Sequence, residues 1–183
     1  PPTAGWTQLG GGTFAQHVGT CGGLPGCNAA GSINAWNGGA FDPASNCLIL
    51  FGGGHGDSWY SGVDRYCLGT QAWENLFPYT SPPIDPAICN PIDANGDPVS
   101  RHTYGMQAFI PAGHGRTAGY LWIYGGSAAC QTGTFQQDVW LFNLSLRRWE
   151  PQGDNLPGNP GRSFLYCDYD PVSDSVYCMG GPS

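Results

Sequence analysis

Short apolar runs recur along the chain, and most of them end at glycine, proline or an Asp-Pro pair. The run DVWLFNL at 138–144 is a short apolar run between Asp138 and Asn143, and we interpret it as a β-strand with one buried face. The runs CLILF at 47–51 and YLWIY at 120–124 are short and rich in β-branched and aromatic residues. The pattern therefore predicts an all-β fold of short strands joined by many turns.

Two stretches of the chain occur twice. The segment FDPASNCLILFGGG at 41–54 returns as YDPVSDSVYCMGG at 169–181, without gaps and at an offset of 128 residues. GVDRYCLGTQAW at 62–73 likewise matches DVWLFNLSLRRW at 138–149. Because a repeat at a fixed offset is the signature of a repeat architecture, we expect units of four strands. A glycine pair closes the second strand of a unit, and a tryptophan opens the fourth.

The chain is predicted to be one domain, 1–183, with repeat units at about 33–76, 101–152 and 162–183. In the first unit we expect strands at 33–41 and 46–51, and the second unit begins with a single strand at 101–110. The proline-rich segment between the first two units reads as a long connection. WTQL at 6–9 supplies a further outer strand.

The order of double glycine, aromatic residue and tryptophan resembles kelch repeats. More narrowly, the motifs WNGGAFDP, GGGHGD and RHTYG are similar to those of secreted bacterial and phage-associated kelch-like proteins. The resemblance implies a β-propeller of four-stranded blades, whose innermost strands line a central channel. Three blades fall short of the usual ring of about four to eight. Either the 183 residues are a fragment of a longer propeller that the strand at 6–9 helps to close, or copies of the chain assemble to complete one.

Charge and length exclude several classes of protein. The chain carries six Arg, no Lys and a net charge of -7, so a phosphate backbone would be repelled and we expect no nucleic-acid partner. The apolar runs are far shorter than the roughly 20 residues of a spanning helix, which predicts no membrane span. The N-terminus lacks an apolar signal core, and we interpret it as a processed, mature end.

Eight cysteines without the paired spacing of a zinc site predict disulfides and an oxidising compartment, so we expect a secreted protein. Cys21 and Cys27 lie close together in one glycine-rich loop. Cys47 and Cys67 fall on neighbouring predicted strands, and Cys167 and Cys178 flank the second Asp-Pro turn. By elimination, the fourth pair is Cys89 with Cys130.

Several polar side chains could contact a ligand. His55, Asp57 and Trp59 follow the glycine triplet on a loop between strands, and such loops carry binding groups in many folds. The alternative for His55 and Asp57 is turn chemistry. The kelch resemblance places Arg101 and His102 near a channel mouth, whereas in the structural alternative Arg101 bonds carbonyls between sheets. His17 and His114 are predicted to be exposed loop residues without partners.

Two further patterns indicate a metal and a modification. Asp93, Asn95 and Asp97 alternate oxygen side chains as the start of a calcium loop does, although Pro98 stands where that loop needs glycine. A plain Asn-Gly turn is the alternative, and calcium is the one cofactor that the sequence suggests. Asn143 begins an Asn-X-Ser sequon and is a candidate for glycosylation.

The sequence thus predicts an extracellular kelch-like binding or structural module at a cell or particle surface, with a glycan or a protein as partner. One alternative is a self-assembling surface component that neighbouring chains complete. A less favoured alternative is an enzyme similar to the copper radical oxidases, whose Tyr-His segment the stretch at 101–104 loosely resembles.

Overall fold

The structure is a computed structural model that describes residues 5, 8–19, 31–34, 37–53, 59–79, 92–128, 135–154 and 164–180. The described part is dominated by strands and contains two short helices, α1 (Phe14–Val18) and α2 (Gly31–Asn34). The strands are β1 (Ala40–Asp42), β2 (Cys47–Phe51), β3 (Val63–Cys67), β4 (Ala72–Phe77), β5 (Arg101–His102), β6 (Gln107–Ile110), β7 (Tyr120–Tyr124), β8 (Ser127–Ala128), β9 (Asp138–Asn143), β10 (Arg148–Asp154), β11 (Leu165–Asp170) and β12 (Ser175–Gly180). The all-β prediction is confirmed.

The first sheet is an antiparallel meander in the order β1-β2-β3-β4. Cys47 of β2 lies directly opposite Cys67 of β3, and the two form a disulfide, as the sequence predicts. The first strand begins at Ala40, so the prediction of a strand over 33–41 was wrong in its first half, where Ile33 lies in α2. The Asn37 Nδ2 atom donates to the Ser32 carbonyl at 2.7 Å, and this contact between residues five apart is too close for an extended strand.

The second sheet has the order β6-β7-β9-β10, again antiparallel. Its first strand is shorter than predicted, because the stretch at 101–110 divides into β5 and β6. β5 pairs with β8 outside the second sheet. Between β5 and β6 the chain makes a tight turn, in which the Met106 amide donates to the Thr103 carbonyl at 2.8 Å. Tyr104, within that turn, has a φ of 51°.

The third unit consists of the hairpin β11–β12, which the Cys167–Cys178 disulfide links across directly opposed positions. This pairing is also the predicted one. The hairpin joins the second sheet through β6: the Cys167 amide donates to the Gly105 carbonyl at 2.8 Å, and Gly105 forms a parallel bridge with Tyr166. The first strands of the two units therefore run side by side in the same direction.

Two hydrophobic cores hold the three sheets together, one on each face of the second sheet. The first core lies against the first sheet and is rich in aromatic side chains; its buried members are Ala40, Ile49, Phe51, Val63, Leu76, Leu121, Ile123, Trp140, Phe142 and Trp149. The second core lies against the hairpin, with the buried residues Met106, Ala108, Trp122, Tyr124 and Leu165. Side chains of the second sheet thus point alternately toward the first sheet and toward the hairpin, so the first sheet, the second sheet and the hairpin form one stack.

Candidate functional site

A cleft of about 510 Å³ lies where the first strands of the three sheets begin. Segments from all three sheets contribute to it, and its lining residues are Asn37, Gly38, Gly39, Tyr104, Gly105, Gln107, Phe164, Leu165, Tyr166 and Cys167. None of these side chains carries a formal charge. The described lining therefore offers aromatic rings and neutral polar groups.

Two glycines allow the sheets to approach each other closely at the cleft. A Cβ atom on Gly38 would lie 1.9 Å from the Tyr104 carbonyl oxygen, and one on Gly105 would lie 2.7 Å from the Leu165 carbonyl oxygen. Any larger residue at either position would push adjacent strands apart. Gly38 of WNGG and Gly105 of RHTYG thus keep the sheets around the cleft at their close spacing.

A buried polar network forms one wall. The Gln107 Nε2 atom donates to Thr103 Oγ1 at 2.5 Å and to the Phe51 carbonyl at 3.1 Å, and it lies 3.2 Å from the Gly38 carbonyl. The Thr103 hydroxyl in turn donates to Asn37 Oδ1. Because Gln107 is 3% exposed, these bonds fix its position at the base of the cleft. Its Oε1 atom is buried and accepts no hydrogen bond from the part of the chain that the structure describes.

Aromatic side chains form the other wall. The rings of Tyr104 and Phe164 lie 4.3 Å apart between centroids, and Tyr166 is 75% exposed beside them. Phe164, like Tyr104, has a positive φ, at 62°. Bulky residues rarely adopt this conformation, and such backbone strain is concentrated at functional sites. Partial burial also raises the pKa of the Tyr104 hydroxyl, which keeps it a neutral hydrogen-bonding group.

The loop after β2 is the first place where the sequence predicts ligand-binding residues. His55 and Asp57 lie outside the described residues, and Trp59 is half-buried and does not line the cleft.

Arg101 has a structural role. It is fully buried, and its guanidinium donates to Asp138 Oδ1 at 2.6 Å and to the Gly125 carbonyl at 3.1 Å. Arg101 and His102 do not belong to the strand that opens the second sheet, because they form β5, which pairs with β8, whereas β6 begins at Gln107. His102 is 9% exposed, and its ring packs edge-on against Tyr104. Of the predicted alternatives, carbonyl bonding describes Arg101 best.

The calcium candidate forms a turn. The Asp93 carboxylate accepts from the Asn95 and Asp97 amides at 2.8 and 3.0 Å, and the Gly96 amide donates to the Asp93 carbonyl. Burial, followed by the nearby Asp93 charge, raises the pKa of Asp97. Within the described residues, no group of three His, Cys, Asp or Glu side chains is arranged to hold a metal ion. The geometry matches the Asn-Gly turn alternative.

The remaining predicted features are four of the cysteines, the strand at 6–9 and the sequon at Asn143. Cys21, Cys27, Cys89 and Cys130 lie outside the described residues, as do residues 6 and 7 of the strand predicted at 6–9, and residues 8 and 9 are not in a strand. Asn143 is 4% exposed, its Oδ1 accepts from the Ser145 and Leu146 amides, and its Nδ2 donates to the Tyr120 hydroxyl at 3.1 Å. The folded chain therefore does not present this sequon for glycosylation.

Among the described helices, none is long and apolar enough to cross a membrane.

A second polar cluster was missed by the sequence analysis. His17 is not an exposed loop residue without a partner, because it lies on α1 and its Nε2 is 2.9 Å from Asp64 Oδ1. The signal for α1 was present in the sequence: Thr13 and Gln16 form a capping box around the start of the helix. The contact between His17 and Asp64, 47 residues apart, left no local signal.

Comparison with known proteins adds no assignment. The chain matches no protein-family model, and no curated protein matches it. The kelch resemblance therefore stays a prediction from the sequence motifs.

Proposed function

We propose that this chain is an extracellular, kelch-like β-propeller module that recognises a glycan or a protein, and that the cleft favours a neutral glycan. The single observation that carries the proposal is the pairing of an exposed aromatic wall, Phe164 and Tyr166, with the amide wall of Asn37 and Gln107. Aromatic faces pack on the C–H faces of sugar rings, and the Gln107 Oε1 atom, which accepts no hydrogen bond within the described residues, can accept one from a sugar hydroxyl group.

The propeller part of the proposal rests on the stacking of four-stranded antiparallel meanders and on the parallel first strands of the second and third units. The extracellular location rests on the disulfides, which persist in oxidising compartments. The lining residues that the structure describes carry no charge, so they would contribute ring stacking and neutral hydrogen bonds. Such a site discriminates against acidic sugars and nucleic acids.

Binding to an array of immobilised neutral oligosaccharides, followed by calorimetry with each positive glycan, tests this function. Tyr166→Ala removes an exposed ring, so we expect about tenfold weaker binding with little loss of stability. Tyr177→Ala is the matched control, because Tyr177 is also an exposed tyrosine of the hairpin but does not line the cleft. Equal binding by wild type and Tyr166→Ala would contradict the glycan site.

A second candidate function is self-assembly, which the outward face of the hairpin favours. Tyr166 lies opposite Met179, Tyr177 shares their face, and all three are more than half exposed. The first sheet exposes Phe41 and Leu48 on the face that points away from the second sheet. Both ends of the stack thus present apolar surface, which suits head-to-tail contact between copies.

Sedimentation over a range of protein concentrations tests self-assembly. Tyr177→Arg and Met179→Arg place charges on the outward face and should shift the protein toward monomer. Leu146→Arg is the control, because Leu146 is exposed in the turn between β9 and β10. A wild-type protein that stays monomeric at all concentrations would exclude this function.

A further inference from the structure

A pocket of about 280 Å³ lies beside the first sheet and apart from the cleft. Its walls come from α1, from β4 and the segment after it, and from the segment before β3, and its lining residues are His17, Val18, Tyr60, Asn75, Pro78 and Tyr79. The pocket shares no residue with the cleft. It is therefore a separate place where a small molecule or a side chain could bind.

A buried carboxylate stands behind this pocket. The Asp64 side chain is 1% exposed and accepts hydrogen bonds from three neighbours: His17 Nε2 at 2.9 Å, Asn75 Nδ2 at 2.9 Å, and the Tyr60 hydroxyl. Burial, with Asp64 alongside, raises the pKa of Tyr60, so this hydroxyl stays protonated and donates. Within the described residues, the side chains that bond Asp64 are thus a histidine, an asparagine and a tyrosine, and none of them is an Arg.

The His17 ring is held in one orientation. It stacks on Trp73 with centroids 5.7 Å apart and an angle of 19° between the planes, and it also packs against Phe14. In the neutral tautomer that donates from Nε2 to Asp64, the Nδ1 atom presents a lone pair. Within the described residues, Nδ1 has no hydrogen-bond partner, and the side chain is 19% exposed.

Asn75 supplies a second acceptor on the wall of the pocket. The Asn75 Nδ2 atom donates to Asp64, to the Tyr60 hydroxyl and to the Phe77 carbonyl. The Oδ1 atom of the same amide accepts no hydrogen bond from the described part of the chain. Tyr60 and Tyr79 stack on each other with centroids 5.8 Å apart and supply aromatic walls. None of the six lining residues is Lys or Arg.

We propose that this pocket is a second ligand site, which takes a small organic cation with N–H donors, such as a primary alkylammonium group. The acceptors His17 Nδ1 and Asn75 Oδ1 receive its N–H groups, the tyrosine rings face its positive charge, and Asp64 compensates that charge from behind. Neutral polyols fit less well, because they offer no charge to the buried carboxylate. The source can be a free amine or the lysine side chain of another protein.

Titration of the native, disulfide-bonded protein with small probes tests the site. Nα-acetyl-lysine N-methylamide and n-butylamine carry the ammonium group, and the Nε-acetylated form of the lysine probe is the neutral isostere. We expect NMR shifts at His17 and Asn75 with both amines and at least tenfold weaker binding of the acetylated form. Tighter binding of the lysine probe than of butylamine would identify a protein side chain as the source, and equal binding would identify a free amine.

Two variants locate the effect within the pocket. Asn75→Ala and His17→Phe each remove one acceptor, and Phe can keep the stacking on Trp73, so we expect about tenfold weaker binding of the amines. His114→Phe is the control, because His114 lies on an exposed turn with a side chain that is 47% accessible. If a variant unfolds, the titrations of the wild-type protein decide the outcome. The proposal is overturned if the acetylated probe binds the wild-type protein as tightly as the amines do, or if no probe causes NMR shifts.

Discussion

Arg101 and Asp138 form a buried ion pair in which Arg101 Nη1 lies 2.6 Å from Asp138 Oδ1, with side chains 0% and 9% exposed. The other carboxylate oxygen of Asp138 accepts from the Trp140 indole at 2.7 Å. The guanidinium also bonds the carbonyls of Val99 and Gly125. The pair therefore joins β5 and the segment after β7 to β9.

Replacement of Arg101 by Gln should be strongly destabilising, because it leaves the Asp138 carboxylate buried without its cation. We expect the free energy of unfolding to fall by about 3 to 5 kcal/mol. Urea denaturation of oxidised protein measures the change. Arg148→Gln is the control, since Arg148 is 64% exposed and its loss should cost less than about 1 kcal/mol. Equal effects of the two substitutions would contradict a structural role for Arg101.

Substitution of Gly38 by Ala should destabilise the stack and disturb the cleft together. The new Cβ would lie 1.9 Å from the Tyr104 carbonyl oxygen, so the backbone of one sheet has to move. We expect a loss of at least about 2 kcal/mol in unfolding free energy. Gly69→Ala is the matched control, because a Cβ there meets nothing within 4 Å. A stable Gly38→Ala protein with unchanged Tyr104 NMR signals would refute this spacing role.

The two disulfides of the described residues should differ in their contributions. They close loops of 20 and 11 residues, so by loop entropy the Cys47–Cys67 bond contributes about 0.5 kcal/mol more than Cys167–Cys178. Paired Cys→Ser variants, compared by chemical denaturation, measure the difference. We expect losses of about 3 kcal/mol for the first pair and slightly less for the second. A larger loss for the shorter loop would show that native packing, rather than chain entropy, dominates.

The pKa of Asp174 should depend on Arg116. Hydrogen bonds from Arg116, at 2.6 and 3.1 Å, and then from Tyr169 lower the pKa of this carboxyl from 3.8 to about 2. The associated stabilisation is complete above about pH 4 and is lost as the pH falls through 2. Arg116→Gln should raise the pKa toward its usual value, measured by NMR titration of the carboxyl carbon, whereas Arg148→Gln should leave it unchanged. An unaltered pKa in Arg116→Gln would mean that the ion pair does not form in solution.

Local sequence signals were sufficient for much of the fold. The apolar run after Asp138 predicted β9, and the Asp-Pro turns with their following apolar runs predicted β2 and β12. Because these patterns also identified strand neighbours, the pairs Cys47–Cys67 and Cys167–Cys178 could be predicted from them.

The rest of the fold depended on contacts between residues distant in sequence. The division between β5 and β6 follows from the burial of Arg101 against Asp138, 37 residues away, which no local pattern of RHTYGMQAFI reveals. The aromatic wall of the cleft likewise combines Tyr104 with Phe164 from another unit. The cleft could not have been assembled without knowing how the units stack.

The Cys47–Cys67 bond also has a mechanical consequence. It joins directly opposed residues of adjacent strands, so a force that pulls the two chain ends apart is carried across the sulfur bridge. The 20 residues of that loop cannot extend while the bridge is intact. At about 3.4 Å per residue, opening this loop by reduction would lengthen a molecule under tension by roughly 65 Å, once the width of the bridge is subtracted. The first sheet can thus lose its hydrogen bonds under load and still retain its tether.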